Sequence, residues 1–143
     1  MSRALKIGLF VLGMLWALPL TVVGLITGLV ALAFGAKVRR SDAALVFHRV
    51  PFGPGGALTM GNVILHTGES LDQTALTYAC RAHGGDVCVR LGDHERAHVY
   101  QYMALGLLFL PLYFLCGGIS HRNRFEKAAD RYALTGNGWW PWP

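Results

Sequence analysis

The residues with the clearest chemical potential in this chain are His94-Glu95-Arg96-Ala97-His98. Four positions make roughly one turn of an α-helix, so the imidazoles of His94 and His98 leave the same face and can share one metal ion. Glu95 stands beside them on the adjoining face, where it can take the proton of a water polarised by that metal. The pattern is H-E-x-x-H, which points to Zn2+ and to hydrolysis, and it needs a supporting structural context to count.

A second element lies downstream. Arg124-Phe125-Glu126-Lys127-Ala128-Ala129-Asp130-Arg131-Tyr132-Ala133 carries Glu126 and Asp130 one helical turn apart. This pair resembles the E-x-x-A-D element of gluzincins, the class that includes thermolysin and the membrane-bound CAAX-type proteases. The resemblance implies that His94, His98 and Glu126 hold Zn2+, that Glu95 is the general base, and that Asp130 orients a ligand histidine from behind. A two-His, one-Glu set leaves one coordination position open, as a catalytic zinc needs. An acceptor behind a ligand imidazole fixes its tautomer. Val99-Tyr100-Gln101-Tyr102 and Leu108-Phe109-Leu110-Pro111 are similar to segments of a group of small bacterial membrane proteins with the same H-E-x-x-H start. The resemblance spans the second half of the chain and, more loosely, its apolar N-terminus; it supplies no substrate.

The chain also departs from the usual zincin pattern. Gly92 stands only two residues before His94, and Arg96 occupies a place that is usually uncharged. Tyr100, His121 and Arg131 are the candidates for stabilising an oxyanion. Simpler roles exist for several of these residues. Asn123 and Glu126 have capping-box spacing, and Asp130 can pair with Lys127 or Arg131 on a solvated face. Two rival readings follow: a non-enzymatic membrane protein with a structural zinc site, in which Glu95 is dispensable, and a two-span membrane protein without metal.

The elements that position these residues begin with a long apolar segment. Ile7 to Ala36 contains no charged residue, well beyond the ~20 residues needed to cross a bilayer. It predicts an N-terminal transmembrane helix, kinked at Pro19. A cleaved signal peptide, with Ala31-Leu32-Ala33 as its cleavage site, would have an apolar core of only ~7–15 residues. Charged residues make up 15% of the 143 residues, a scarcity that fits lipid contact. The net charge is +5, which reads as attraction to anionic headgroups. A nucleic-acid partner is not expected, because no basic run is interleaved with aromatics. Arg3 and Lys6 precede the segment; Lys37, Arg39 and Arg40 follow it. This gives a slight bias toward a cytoplasmic second part, and the resemblance implies a bacterial inner membrane. Cys80, Cys88 and Cys116 have no metal spacing and read as free thiols.

The middle of the chain predicts a small antiparallel sheet. Ala43–Val50 and Ala57–Thr67 read as strands, the latter broken at Gly61-Asn62, and Leu76–Ala82 pairs with Asp86–Leu91 around His83-Gly84-Gly85. Helices follow from about Asp93 and from about Arg124, the second capped by Asn123 and ended by Gly136. Met103–Ile119 is apolar and 17 residues long. Were it to cross a bilayer, His98 and Glu126 would lie about 25 Å apart, so a zinc site requires it to fold back. Three of the four tryptophans sit in the last five residues, as an interfacial anchor or a tail packed on the domain. The expected architecture is α+β: a transmembrane anchor over 1–36, then a membrane-associated zincin-like domain over 37–143 with a short apolar hairpin. The expected partners are the lipid bilayer and a protein or peptide substrate, with the oligomeric state open. The expected activity is hydrolysis of peptide bonds in membrane-proximal protein segments.

Overall fold

Ser2 starts the first helix. Its Oγ accepts from the Leu5 amide at 3.3 Å, and α1 runs from Arg3 to Trp16. The chain turns at Ala17, and α2 runs from Leu18 to Ala33 with Pro19 in its first turn, where no intrahelical donor is lost. The computed structural model describes residues 1–53 and 55–143. In it the axes of α1 and α2 differ by 64°. At 1.5 Å per residue these helices are about 21 Å and 24 Å long, each short of a ~30 Å hydrocarbon core. The single N-terminal transmembrane helix is therefore corrected to a broken pair. The break has a cause in packing as well as in Pro19, since Ala17 is fully buried in an aromatic cluster.

One face of α2 carries Gly24, Gly28 and Ala31, all buried. The spacing of four and then three residues makes one stripe, and the stripe lies on a sheet. A Cβ at Gly28 would come within 2.4 Å of the Phe47 ring, so only glycine permits this approach. The sheet contains β1 (Lys37–Ser41), β2 (Ala44–His48), β3 (Ala57–Met60) and β4 (Val63–His66), in the order β1-β2-β4-β3. Pairs β1–β2 and β3–β4 are antiparallel, but β2 and β4 run parallel, with Leu45 opposite Val63 and Phe47 opposite Leu65. The expected antiparallel sheet is thus a mixed one. Asn62 explains the insertion of β4 beside β2. Its Nδ2 donates to the Ala43 carbonyl at 2.8 Å, its carbonyl accepts from the Leu45 amide at 3.0 Å, and its own amide donates to Thr21 Oγ1 at 2.9 Å. One turn residue ties the β3–β4 hairpin to both β2 and α2.

A second, two-stranded sheet pairs β5 (Thr74–Leu76) with β6 (Cys88–Arg90). Between them the expected strand Leu76–Ala82 is instead a helix, α3 (Tyr78–His83). Thr77 decides this locally: its Oγ1 accepts from the Cys80 amide at 3.2 Å as an N-cap. All three cysteines are free.

The last third is helical: α4 (Leu91–Leu105), a 3-10 turn (Gly106–Leu108), α5 (Phe109–Leu115) and α6 (Arg124–Thr135). By length and composition the stretch Leu91–Leu115 could cross a membrane. A straight helix would hold His98 and Tyr113 about 22 Å apart, yet their rings are 6.4 Å apart. The chain bends back at Gly106, whose φ of 56° suits glycine and whose missing Cβ leaves room for Trp16. Tyr102, Phe109, Tyr113 and Phe125 then form one buried aromatic cluster, with Trp142 of the tail 5.4 Å from Phe125. Asn123 caps α6 by accepting from the Phe125 amide at 2.9 Å, and Gly136 ends it in a left-handed conformation. The tryptophan tail is packed on the domain.

Candidate metal centre

The site is made where α4 and α6 pack together. Ala97, Ala128 and Ala129 are fully buried, and such small side chains let the two helix backbones approach. The start of α4 is held by the preceding loop: the Leu91 amide donates to the Gln73 carbonyl at 3.0 Å and the Gly92 amide to the Leu71 carbonyl at 2.9 Å. A Cβ at Gly92 would sit 3.2 Å from that Leu71 oxygen. The short run-up before His94 is therefore a close contact that favours glycine, and the helix begins two residues earlier than expected, at Leu91.

Three ligating atoms converge in the interior. Glu126 Oε2 lies 3.0 Å from His94 Nε2 and 3.3 Å from His98 Nε2, and the two Nε2 atoms are 3.2 Å apart. All three residues are buried, and the group can hold a metal ion. Ligand bonds of about 2.0–2.1 Å at tetrahedral angles imply donor separations of about 3.3 Å, close to these distances. The other ring nitrogens are committed elsewhere. His94 Nδ1 faces Asp130 Oδ1 at 2.9 Å, and His98 Nδ1 faces Gln101 Oε1 at 2.8 Å. Both partners are acceptors, because Gln101 Nε2 donates to the carbonyls of Phe125 and Trp139 at 3.2 and 2.8 Å. Each Nδ1 thus carries the proton and each Nε2 turns a lone pair toward the centre. Two lone pairs and a carboxylate oxygen facing one another at this range can hold a cation between them.

The electrostatics agree. Burial works against charge on His94, but hydrogen bonds to Asp130 and Glu126, with the charge of Glu95, outweigh it and raise its pKa to about 10. His98 is raised too: burial opposes the charged ring, and the Glu126 carboxylate overcomes it. Burial pushes the Glu126 carboxyl up, yet the two imidazoles pull it well below the usual carboxylate range. The cluster is arranged to hold positive charge.

The surrounding residues are placed as follows. Glu95 is buried, and its Oε2 accepts from Thr59 Oγ1 of β3 at 2.6 Å. Glu126 Oε1 accepts from the Tyr113 hydroxyl. Asp130 Oδ2 accepts from the Tyr78 amide at 2.8 Å. Glu95 and His94 line an apolar cavity of about 510 Å³ with Leu58, Leu76, Val89 and Ile119. Glu126 and His98 open onto a neighbouring one of about 160 Å³.

The residues named for oxyanion stabilisation lie elsewhere. Tyr100 packs on Tyr132 and Trp139, His121 stacks edge-on against His83, and Arg131 donates to the carbonyls of Gly138 and Trp140. None lines either cavity among the described residues. Arg96 points away from the ligands, to Asp42 at 2.8 Å. Sequence reasoning missed Thr59, Gln101, Tyr113 and Tyr78. Only Gln101 left a signal, being one turn on from His98 and on the same helix face. No family model, curated protein or solved structure matches the chain.

Proposed function

We propose that the chain is a zinc-dependent peptidase, attached to a membrane and acting on membrane-proximal segments of other proteins. The observation that carries this reading is the convergence of His94, His98 and Glu126, with Glu95 beside them at the wall of an apolar cleft. These three residues would hold Zn2+, which when bound supplies a Lewis acid and an activated water at neutral pH. A structural zinc takes four protein ligands. Among the described residues only three converge, which favours an open, catalytic position over a structural site.

Glu95 is left free of the ligand set and is held by Thr59. It takes the proton of the attacking water and returns it to the leaving nitrogen. The apolar walls of the cleft suit a large aliphatic or aromatic side chain. Strand β3 is an outer strand of its sheet and contributes Ala57 and Leu58 to the cleft. Its unpaired edge offers backbone donors and acceptors to an extended chain.

Exposed apolar side chains support membrane attachment. Leu12, Ile26 and Leu29 stand out from α1 and α2. Ile119 of the cleft and Phe114 of the neighbouring cavity are 79% and 66% exposed, and Leu115, next to Phe114 in the chain, is 82% exposed. Apolar surface of this extent marks a partner or a lipid phase. The exposed Lys37, Arg39 and Arg40 of β1 suit anionic headgroups and lean toward the cytoplasmic side.

The test uses the full chain purified in detergent. Elemental analysis should find one zinc per chain. Glu95→Gln should keep that zinc and lower the hydrolysis of detergent-solubilised casein by roughly 10²–10⁴-fold. A wild-type chain that binds no metal, or a Glu95→Gln chain that turns over normally, sinks the reading. In membranes the full chain should resist carbonate extraction, and its release would remove the attachment.

A further inference from the structure

Amide hydrolysis leaves one charge that neither Glu95 nor the ligand histidines can answer. As the water oxygen adds to the carbonyl carbon, the π electrons move onto the carbonyl oxygen, and a hydrogen-bond donor aimed there lowers the barrier. Three tyrosines line the cavities beside the cluster: Tyr78, Tyr102 and Tyr113. Two hydroxyls are already engaged. Tyr113 donates to Glu126, and Tyr102 lies 4.0 Å from Met60 Sδ. The Tyr78 hydroxyl makes no hydrogen bond among the described residues. It is not sealed in the interior either, because the buried side-chain atom left without a partner is Arg96 Nε.

Tyr78 is held from several sides. It opens α3 directly after the Thr77 cap. Its amide donates to Asp130 Oδ2, the same carboxylate that orients His94. Its ring stacks on the His94 ring at 5.9 Å and 22°, and the Arg81 guanidinium lies 5.1 Å from its centre. Tyr78 alone among the three lines both cavities, together with Glu95 in each and with Glu126 in the smaller.

We propose that Tyr78 is a catalytic residue whose hydroxyl donates a hydrogen bond to the scissile carbonyl oxygen as that oxygen becomes negative. This rests on the peptidase reading above. No proton leaves the phenol: Glu95 takes the water proton, the new C–O bond forms, and the oxyanion is held by the Tyr78 O–H. On collapse the C–N bond breaks, the carbonyl re-forms, and the nitrogen takes the proton from Glu95, giving an acid and an amine.

The test pairs Tyr78→Phe with a binding measurement that needs no turnover. The variant keeps the ring that stacks on His94 and removes only the hydroxyl. The probe is a phosphinic pseudodipeptide with leucine side chains, which presents a tetrahedral anion, titrated calorimetrically into the zinc-loaded full chain. Tyr78→Phe should hold zinc as the wild type does, bind the probe about 10- to 100-fold more weakly, and lose about 10²–10³ in kcat on casein with KM little changed. Equal probe affinity in wild type and Tyr78→Phe overturns the assignment while leaving the peptidase reading in place. The same holds if Arg81→Gln weakens the probe and Tyr78→Phe does not, since the donor would then be Arg81. A zinc-loaded wild type that does not bind the probe at all removes the peptidase reading, and the role of Tyr78 with it.

Discussion

Asp130→Asn is the most discriminating single change at the centre, because it alters one atom and leaves the shape intact. Asp130 accepts two hydrogen bonds, from His94 Nδ1 at 2.9 Å and from the Tyr78 amide at 2.8 Å. Asparagine has one acceptor oxygen and one NH2. If the oxygen stays toward His94, the NH2 meets the Tyr78 amide donor and that contact is lost. If it turns toward the amide, the NH2 faces His94 Nδ1, which must become the acceptor. The proton then moves to Nε2, the atom that faces Glu126 and His98, and no lone pair is left toward the cluster. Either way a supporting bond fails behind a ligand imidazole. Such losses lower metal affinity by about 10- to 100-fold, or about 1.4–2.7 kcal/mol. Competition against a chromophoric chelator, on full-length protein at neutral pH, measures this directly. A circular dichroism spectrum like that of the wild type would show that folding is not the cause. Zinc affinity within twofold of wild type would show that neither the His94 bond nor the Tyr78 amide bond to Asp130 supports the ligand set.

Two further outcomes follow from residues away from the His94, His98 and Glu126 cluster. Gly28→Val drives a side chain into the Phe47 ring and should destabilise the folded chain by about 1–3 kcal/mol; an unchanged thermal midpoint in detergent would mean that α2 does not lie on the sheet. Burial lowers the pKa of His66 and of His48, whose Nδ1 atoms face each other at 3.1 Å. Both are therefore neutral in the fold and take protons more readily when unfolded, so their contribution is present above about pH 6.5 and is lost as pH falls below it. His66→Gln should flatten the loss of stability between pH 7 and 5, and a slope equal to the wild type would show that the pair is not its source.

What was legible in the sequence was local. The shared face of His94 and His98, the cap at Asn123, the stop at Gly136 and the break at Gly61-Asn62 each depend on residues within a few positions of one another, and all form, the break as the turn of a β3–β4 hairpin. The need for Met103–Ile119 to fold back came from the length of a helix set against the length of a metal bond. The parallel pairing of β2 with β4 was not legible, because it depends on Asn62 reaching Ala43, Leu45 and Thr21 at once. The segment Leu76–Ala82 was read as a strand because a short apolar run carries no distinguishing period; the Thr77 cap won instead. Thr59 and Tyr113 come from β3 and α5, and nothing near either in the chain announces Glu95 or Glu126 as its partner.

The C-terminal tail shows how far the support of the site extends. Gln101 can present its oxygen to His98 only if its NH2 is satisfied elsewhere, and the acceptors are the carbonyls of Phe125 and Trp139. Trp139 is held near α4 by Tyr100, at 5.9 Å, and the neighbouring Trp140 carbonyl is held by Arg131. Trp142 closes the aromatic cluster against Phe125, the residue whose carbonyl is the other acceptor. Tyr100 and Arg131 therefore hold the tail that in turn satisfies Gln101. The tryptophans that looked suited to a membrane interface are used to fix one amide, and that amide fixes which nitrogen of His98 faces the metal-binding cluster.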